Sequence, residues 1–367
     1  MKKVLLRDIC KIEKGKQIDT NLLDATNKYK YINGGIKESG MYFKFNTNAN
    51  TVIVSEGGVS CGYVNYVEEN FWCGCHCYRL LNPTIEPKYL YYVLKGNQKK
   101  IMDLKTGAAM PNIKKSSFQS LVLSIDNNKK HQDEIIYNLD KISSTIKLKT
   151  NQLILLDELI KSRFNELFSN GNYPIIKMSE LSSKITKGST PTTYGFDFKN
   201  EGINFIKIES LTDDHKFIKE KFTYVGDDCH ESFKRSQLQC GDVLFSIAGA
   251  LGRTAIVSDD ILPANTNQAL AIIRGLDKEK ISKTFLLSEF ETDFVKEQLE
   301  RDVVGVAQKN LSLQNIQDLM IILPPLSEQQ MYECFVNQVD KLKFIVQEQI
   351  NNLQELFDKK MDEYFGE

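Results

Sequence analysis

Thr51-Val52-Ile53-Val54-Ser55-Glu56-Gly57-Gly58 is an apolar run that ends in glycine, and it returns as Asp242-Val243-Leu244-Phe245-Ser246-Ile247-Ala248-Gly249. A repeat of this kind fixes architecture before any single element is assigned. Towards the N-terminus, Ile12-Glu13-Lys14-Gly15-Lys16 is answered by Ile185-Thr186-Lys187-Gly188-Ser189. Towards the C-terminus, Thr106-Gly107-Ala108-Ala109-Met110-Pro111-Asn112-Ile113 is answered by Val304-Gly305-Val306-Ala307-Gln308-Lys309-Asn310-Leu311. Each copy then reaches a strand pattern, Leu121-Val122-Leu123-Ser124-Ile125 or Leu319-Met320-Ile321-Ile322-Leu323. The offset grows from 173 to 198, so the second copy holds about 25 extra residues, mostly early in it. A period near 200 means that the repeated unit is a whole domain with its helix.

Each strand pattern runs into a long helical one. Ile135, Leu139, Ile142, Ile146, Leu153 and Leu156 follow a 4-3 heptad seam, interrupted at Lys149. Adding 200 gives Phe335, Val339, Leu342, Val346, Leu353 and Leu356, which predicts that the two helices pair through these residues. The first helix stops at Ser169-Asn170-Gly171-Asn172-Tyr173-Pro174. The resulting parts are 1–127, 128–170, 171–325 and 326–367. A duplicated domain paired through its helices makes a pseudo-twofold object, suited to a target with two half-sites. Roughly 35 residues at 1.5 Å rise make a rod of about 50 Å. At 3.4 Å per base pair, half-site centres would then lie at most about 15 base pairs apart.

The chain has 367 residues, 41% hydrophobic and 26% charged, as expected of a folded soluble protein of two domains. No apolar run reaches the roughly 18 residues of a membrane span. The opening Met1-Lys2-Lys3-Val4-Leu5-Leu6-Arg7-Asp8 is charged where a signal peptide is apolar, so a cytoplasmic location is expected. Eight cysteines without a secretory signal read as reduced thiols. Net charge is −1, but 1–127 carries +7, 128–168 +1, 169–325 −4 and 326–367 −5. The first domain could hold phosphates by itself; the second would need a local basic face or partner subunits.

The layout and motifs resemble the specificity subunits of type I restriction–modification systems over essentially the whole chain. The resemblance rests on Ile185-Thr186-Lys187-Gly188-Ser189-Thr190-Pro191, Gly241-Asp242-Val243-Leu244-Phe245-Ser246, Asn265-Thr266-Asn267-Gln268-Ala269 and Gln308-Lys309-Asn310-Leu311. Above all it rests on Leu323-Pro324-Pro325-Leu326-Ser327-Glu328-Gln329-Gln330 entering the last helix. The fold so implied is mixed α/β (α+β): two tandem target-recognition domains with small mixed sheets, each followed by a long helix. The two helices would form an antiparallel coiled coil about a pseudo-twofold repeat. The resemblance implies a non-catalytic subunit whose domains each read half of a bipartite double-stranded DNA target. Its helices would dock methyltransferase subunits, two of them, with restriction subunits a further partner. S-adenosylmethionine and ATP would sit on those partners and no cofactor on this chain. The first copy departs from the pattern, with Asp126-Asn127-Asn128-Lys129-Lys130-His131-Gln132 in place of the proline motif and Cys75-His76-Cys77 in place of Asn267-Gln268-Ala269.

Base reading needs Arg, Lys, Asn, Gln, Ser or Thr on loops held by a rigid scaffold, with glycines beside them for close backbone approach. On that logic the candidates are Lys14, Lys16, Gln17, Asn33, Ser55, Ser60, Lys105, Thr106 and Asn112 in the first domain. In the second they are Lys187, Ser189, Thr190, Lys207, Ser246, Arg253, Gln268, Gln308 and Lys309. The cluster Cys61, Cys73, Cys75, His76 and Cys77 has enough ligands for zinc but not the paired-thiolate spacing, and no metal is expected. No Asn/Asp-Pro-Pro-aromatic turn, no Walker loop and no recognisable histidine triad is present. Two other readings stand beside the leading one: the recognition subunit of a related, type II-like restriction system, and a coiled-coil scaffold that binds no DNA.

Overall fold

The computed structural model describes residues 1–107, 110–169, 171–302 and 310–366. Two compact units emerge, Met1–Gln152 with Val346–Glu367, and Leu153–Ile345. Their boundaries fall inside the two long helices, Lys129–Phe168 (the central helix) and Leu326–Phe365 (the terminal helix), so each helix lends residues to both units.

In the first unit the strand Thr51–Ser55 is buried at all five positions. Its β-branched run suits a strand covered on both faces. It lies inside a four-stranded antiparallel sheet ordered Lys11–Lys14, Cys77–Leu81, Thr51–Ser55, Val64–Val67. A second sheet sets Gly40–Tyr42 antiparallel and Phe71–Cys73 parallel to Tyr29–Ile32. Lys2–Leu5 pairs with Val122–Ile125, which fastens the two ends of the domain together just before the central helix. Val52, Val54 and Leu80 share one core with Leu90, Val93 and Leu94 of helix Pro87–Gly96, Ile135 and Leu139 of the central helix, and Met361 and Phe365 of the terminal helix. Gly96 permits that last approach, since a Cβ there would lie 2.6 Å from the Phe365 Cβ.

The second unit repeats these three sheets in the same order. Its four-stranded sheet runs Ser182–Lys187, Leu270–Leu276, Val243–Ser246, Thr254–Ile256. Its smaller sheet sets Thr223–Val225 antiparallel and Ala264–Thr266 parallel to Ile203–Ile206, and Ile175–Lys177 pairs with Met320–Ile322. Phe164 and Phe168 of the central helix, Phe285 and Tyr332 pack with ring centroids 5.0–5.7 Å apart. Tilted and edge-on pairs of this kind add about 0.5–1.5 kcal/mol each beyond their buried area.

Within each unit the two long helices run antiparallel. In the first, Asn138 donates to the Tyr364 hydroxyl at 3.1 Å, and Ile135 and Leu139 share the core of Met361 and Phe365. In the second, Asp157 meets Lys343 whereas Phe168 meets Tyr332, so ascending one helix descends the other. Of the expected seam, Ile135, Leu139, Val339 and Val346 are buried, while Ile142, Ile146, Leu153, Leu156, Phe335 and Leu353 are half-buried. Leu342 and Leu356 correct that expectation: they are 52% and 43% exposed. The buried residues Gln132, Ile135 and Leu139 answer Gln329, Tyr332 and Val336, three residues away from the offset of 200 and most of a helical turn. The inward row of the terminal helix is therefore Tyr332, Val336, Val339, Lys343 and Val346. Lys343 takes the place expected of Leu342, its side chain 14% exposed and its amine held by Asp157.

The proline motif sets where the terminal helix begins. The Pro325 carbonyl accepts from the Glu328 and Gln329 amides at 2.9 and 3.2 Å, and proline suits this position because a helix start has no use for its missing N–H. The Gln329 side chain is fully buried; its amide donates to the carbonyls of Pro324 (2.8 Å) and Lys280 (2.9 Å), and its oxygen accepts from the Ser282 amide (2.8 Å).

Candidate nucleic-acid interface

Two groups of loops gather the first-domain candidates. In one, Gly15 and Lys16 donate their backbone amides to Cys77 and Cys73 at 3.0 and 2.9 Å. A Cβ on Gly15 would stand 2.2 Å from the Gly74 carbonyl oxygen, so only glycine lets these backbones touch. The Lys16 carbonyl accepts from the Trp72 indole at 2.8 Å, Gln17 accepts from Cys75 at 2.9 Å, and Asn33 accepts from the His76 amide at 3.2 Å. Lys16 and Gln17 thus stand exposed on a framed edge with Asn33 half-buried beside them.

The other group is the hairpin turn after Thr51–Ser55 together with the hairpin of Lys105–Thr106 and Asn112–Ile113. Gly58 donates to Pro111 at 3.0 Å and Ile113 to Glu56 at 2.8 Å, which binds the two turns side by side. Lys105, Thr106 and Asn112 are exposed and Ser60 is half-buried. Lys14 joins this group through an ion pair with Glu56 at 2.5 Å. Glu56 is itself buried and accepts from Tyr78 at 3.1 Å. Burial first, and then the Glu56 charge, push the Tyr78 phenol far above its ordinary value, so it remains a donor. Sequence reading passed over Glu56, because one acid among basic loops carries no visible signal of being the anchor.

In the second domain Ser189 donates its amide to Thr266 at 3.1 Å, its hydroxyl accepts from Arg235 at 3.1 Å, and the Thr190 hydroxyl donates to the exposed Gln268. Lys187 is half-buried, and Lys207 lies 4.1 Å over the Phe198 ring. Arg253 donates to Asp213 at 2.7 Å and to the Leu211 carbonyl at 3.3 Å. Arg235 has no part in any motif of the sequence and was missed for that reason. Gln308 and Lys309 lie outside the described residues.

Three serines are corrected. Ser55, Ser189 and Ser246 are 3%, 7% and 0% exposed and do not present their hydroxyls to a ligand. Ser246 uses its own to close its turn, donating to Ala250 and accepting from the Arg253 amide at 2.7 Å. These positions shape the loops while the side chains around them face outward.

The cysteine cluster is largely core. Cys73 and Cys77 pack with Ile32, Ile53, Val67 and Phe71, and Cys77 at its side together with burial holds the Cys73 thiol well above its usual range. Among the described residues no three His, Cys, Asp or Glu side chains are arranged to hold a metal ion. None of their helices is long and apolar enough to cross a membrane.

Two like domains, each with a mixed pair of small sheets, each closed by a terminal strand pair and followed by a long helix, define a duplicated two-domain class of protein. The profile of the type I restriction modification DNA specificity domain matches residues 1–158 and 216–355, and the chain belongs to that family. A Mycoplasma genitalium protein named as a putative type I specificity subunit is 31% identical over 214 residues, 56% of this chain and 54% of its own. The type I restriction enzyme MjaVIII specificity subunit of Methanocaldococcus jannaschii is 22% identical over 289 residues, 71% of this chain and 65% of its own. Each of these matches spans less than two thirds of the relative. In fold, the chain resembles the crystal structure of a type I restriction–modification S subunit from M. genitalium, with a TM-score of 0.59 at 20% identity, covering 98% of this chain and 94% of that one.

Proposed function

We propose that this chain is the DNA-reading subunit of a type I restriction–modification complex, each domain reading one half of a bipartite duplex target. The observation that carries the reading is the duplication itself: one sheet plan, twice, presenting loops of different side chains from matching positions. The first domain's lysine-rich loops would hold phosphates, which position the protein, while neighbouring side chains read bases. The chain would be non-catalytic and bind no cofactor itself. Methyltransferase subunits, two of them, would bring S-adenosylmethionine and extrude the target adenine. Restriction subunits would add ATP-driven cleavage.

The long helices support the docking part of this reading. In the second unit Ile154, Leu155 and Leu159 on the central helix, and Met331, Phe344 and Ile345 on the terminal one, are 46–69% exposed. Exposed apolar side chains on both helices are what docked methyltransferase subunits would cover.

A single-molecule methylome tests the proposal, in cells expressing the chain with its methyltransferase subunit and in cells with the methyltransferase alone. Methyladenine at a two-part motif with a fixed gap, seen only with both, is the expected result. A stable complex that methylates nothing new and binds duplex DNA at no salt concentration would replace the reading with that of a scaffold.

A further inference from the structure

Among the described residues of the first domain, the two large apolar side chains that stand furthest out in water lie beside its lysine-bearing loops. Val59, at the tip of the turn between Thr51–Ser55 and Val64–Val67, is 107% exposed, and Met110 in the neighbouring turn is 83% exposed. The turn that carries Val59 is not loose. Gly62 donates to Ser55 at 2.8 Å, Cys61 to Gly58 at 3.1 Å and Tyr63 to Ser60 at 2.9 Å, and Gly58 takes a φ of 76° that favours glycine. The foot of the turn is seated so closely that a Cβ on Gly62 would lie 2.9 Å from the Met102 Cα. The Gly58–Pro111 bond and the bridge between Gly57 and Asn112 then tie the second turn to the first.

A valine fixed in solvent by a rigid turn contributes nothing to the fold that a serine would not, because it buries no apolar area. The second domain supplies the comparison. Its matching turn is closed in the same way, Gly252 to Ser246 at 3.0 Å, Leu311 to Ile247 at 2.9 Å, and a bridge from Ala248 to Asn310. At its exposed tip stands Ala250, one of the smallest side chains. The scaffold is shared and the tip differs, which is the pattern expected where two copies of one domain read different base sequences.

We propose, resting on the DNA-reading function above, that Val59 and Met110 form an apolar finger that reads the first half-site by contact with base edges. The phosphate backbone offers such side chains no favourable partner. In the major groove the thymine C5-methyl group does, and it is the feature of an A·T pair that an aliphatic side chain recognises. Exposed Lys105 beside the finger supplies the phosphate contact that sets its depth.

The test uses the chain assembled with its methyltransferase subunit, and duplexes carrying the motif that this complex methylates in cells. Each thymine of the first half-site is replaced in turn by uracil, which removes only the methyl group. For the wild-type complex one such replacement is expected to weaken binding about fourfold. The double variant Val59→Ser with Met110→Ser is expected to lose about as much on the thymine duplex and nothing further on the uracil duplex. The salt dependence of its binding should be unchanged, whereas Lys105→Ala should weaken all duplexes alike and lower the salt slope by about one. Ala250→Ser in the second domain should alter none of these. A double variant that binds the thymine duplex as tightly as wild type, or a loss unrelated to any methyl group, overturns the finger. A wild-type complex with no bipartite motif at all overturns the DNA-reading function itself.

Discussion

The imidazole Nε2 of His215 lies 3.1 Å from a carboxylate oxygen of Glu291, joining a loop of the second domain to the residue that caps the C-terminal end of helix Lys283–Phe290. The other ring nitrogen meets the Thr254 hydroxyl at 2.7 Å, and Lys161 of the central helix reaches Glu291 from a third side at 3.2 Å. Loop and central helix meet at one carboxylate, with the sheet holding the imidazole from behind.

Burial alone would raise the Glu291 carboxyl, but the His215 bond and charge, followed by Lys161, outweigh it and hold it at about 2 rather than 4.5. A depressed acid stabilises the fold above its unfolded value, and that stabilisation is lost as pH falls from about 4.5 towards 2. The advantage of wild type over Glu291→Gln, at most about 3 kcal/mol while His215 is protonated, should therefore vanish across that window. Urea unfolding of both proteins at neutral pH and at steps down through the window measures it. A pH-independent gap would contradict the ion-pair origin.

Glu289 has the opposite sign. It is 1% exposed, one oxygen accepts from the Ile322 amide at 3.4 Å, the other has no partner, and burial lifts its carboxyl to about 7. Its neutral form is favoured in the fold, so stability is full below about 4.5 and is lost as pH rises through about 7. Glu289→Gln should gain on wild type by up to about 3 kcal/mol over that rise, read from urea midpoints on either side of it. Parallel pH profiles for the two proteins would refute the assignment.

The terminal helix seam separates by mutation. Val339→Ala removes buried methyl groups and should cost about 2 kcal/mol, whereas Leu342→Ser, on an exposed side chain, should stay within about 0.5 kcal/mol of wild type. Thermal and urea unfolding of the free chain decide it. The reverse order of effects would restore the seam through Leu342.

Gln329→Ala should cost about 2–4 kcal/mol, because it leaves the Ser282 amide and the Lys280 and Pro324 carbonyls without their partner in a buried place. A change below about 0.5 kcal/mol in unfolding free energy would mean that water replaces the side chain there.

The sequence alone determined the duplication and the long helices, because repeats, strand runs and heptads are local patterns that survive without coordinates; the mixed domains rest on the resemblance that those motifs carry. It also singled out the turns at Gly15 and Gly188, where close backbone approach demands glycine. Only the tertiary structure decided which face each side chain took. Leu342 and Lys343 are neighbours on a helix, and the changed register turns the leucine out and draws the lysine in to Asp157. Ser246 reads as a polar contact but spends its hydroxyl closing its own turn, while Val59, of a residue type that builds cores, stands in solvent. Burial depends on partners distant in the chain, and a local pattern carries no record of them.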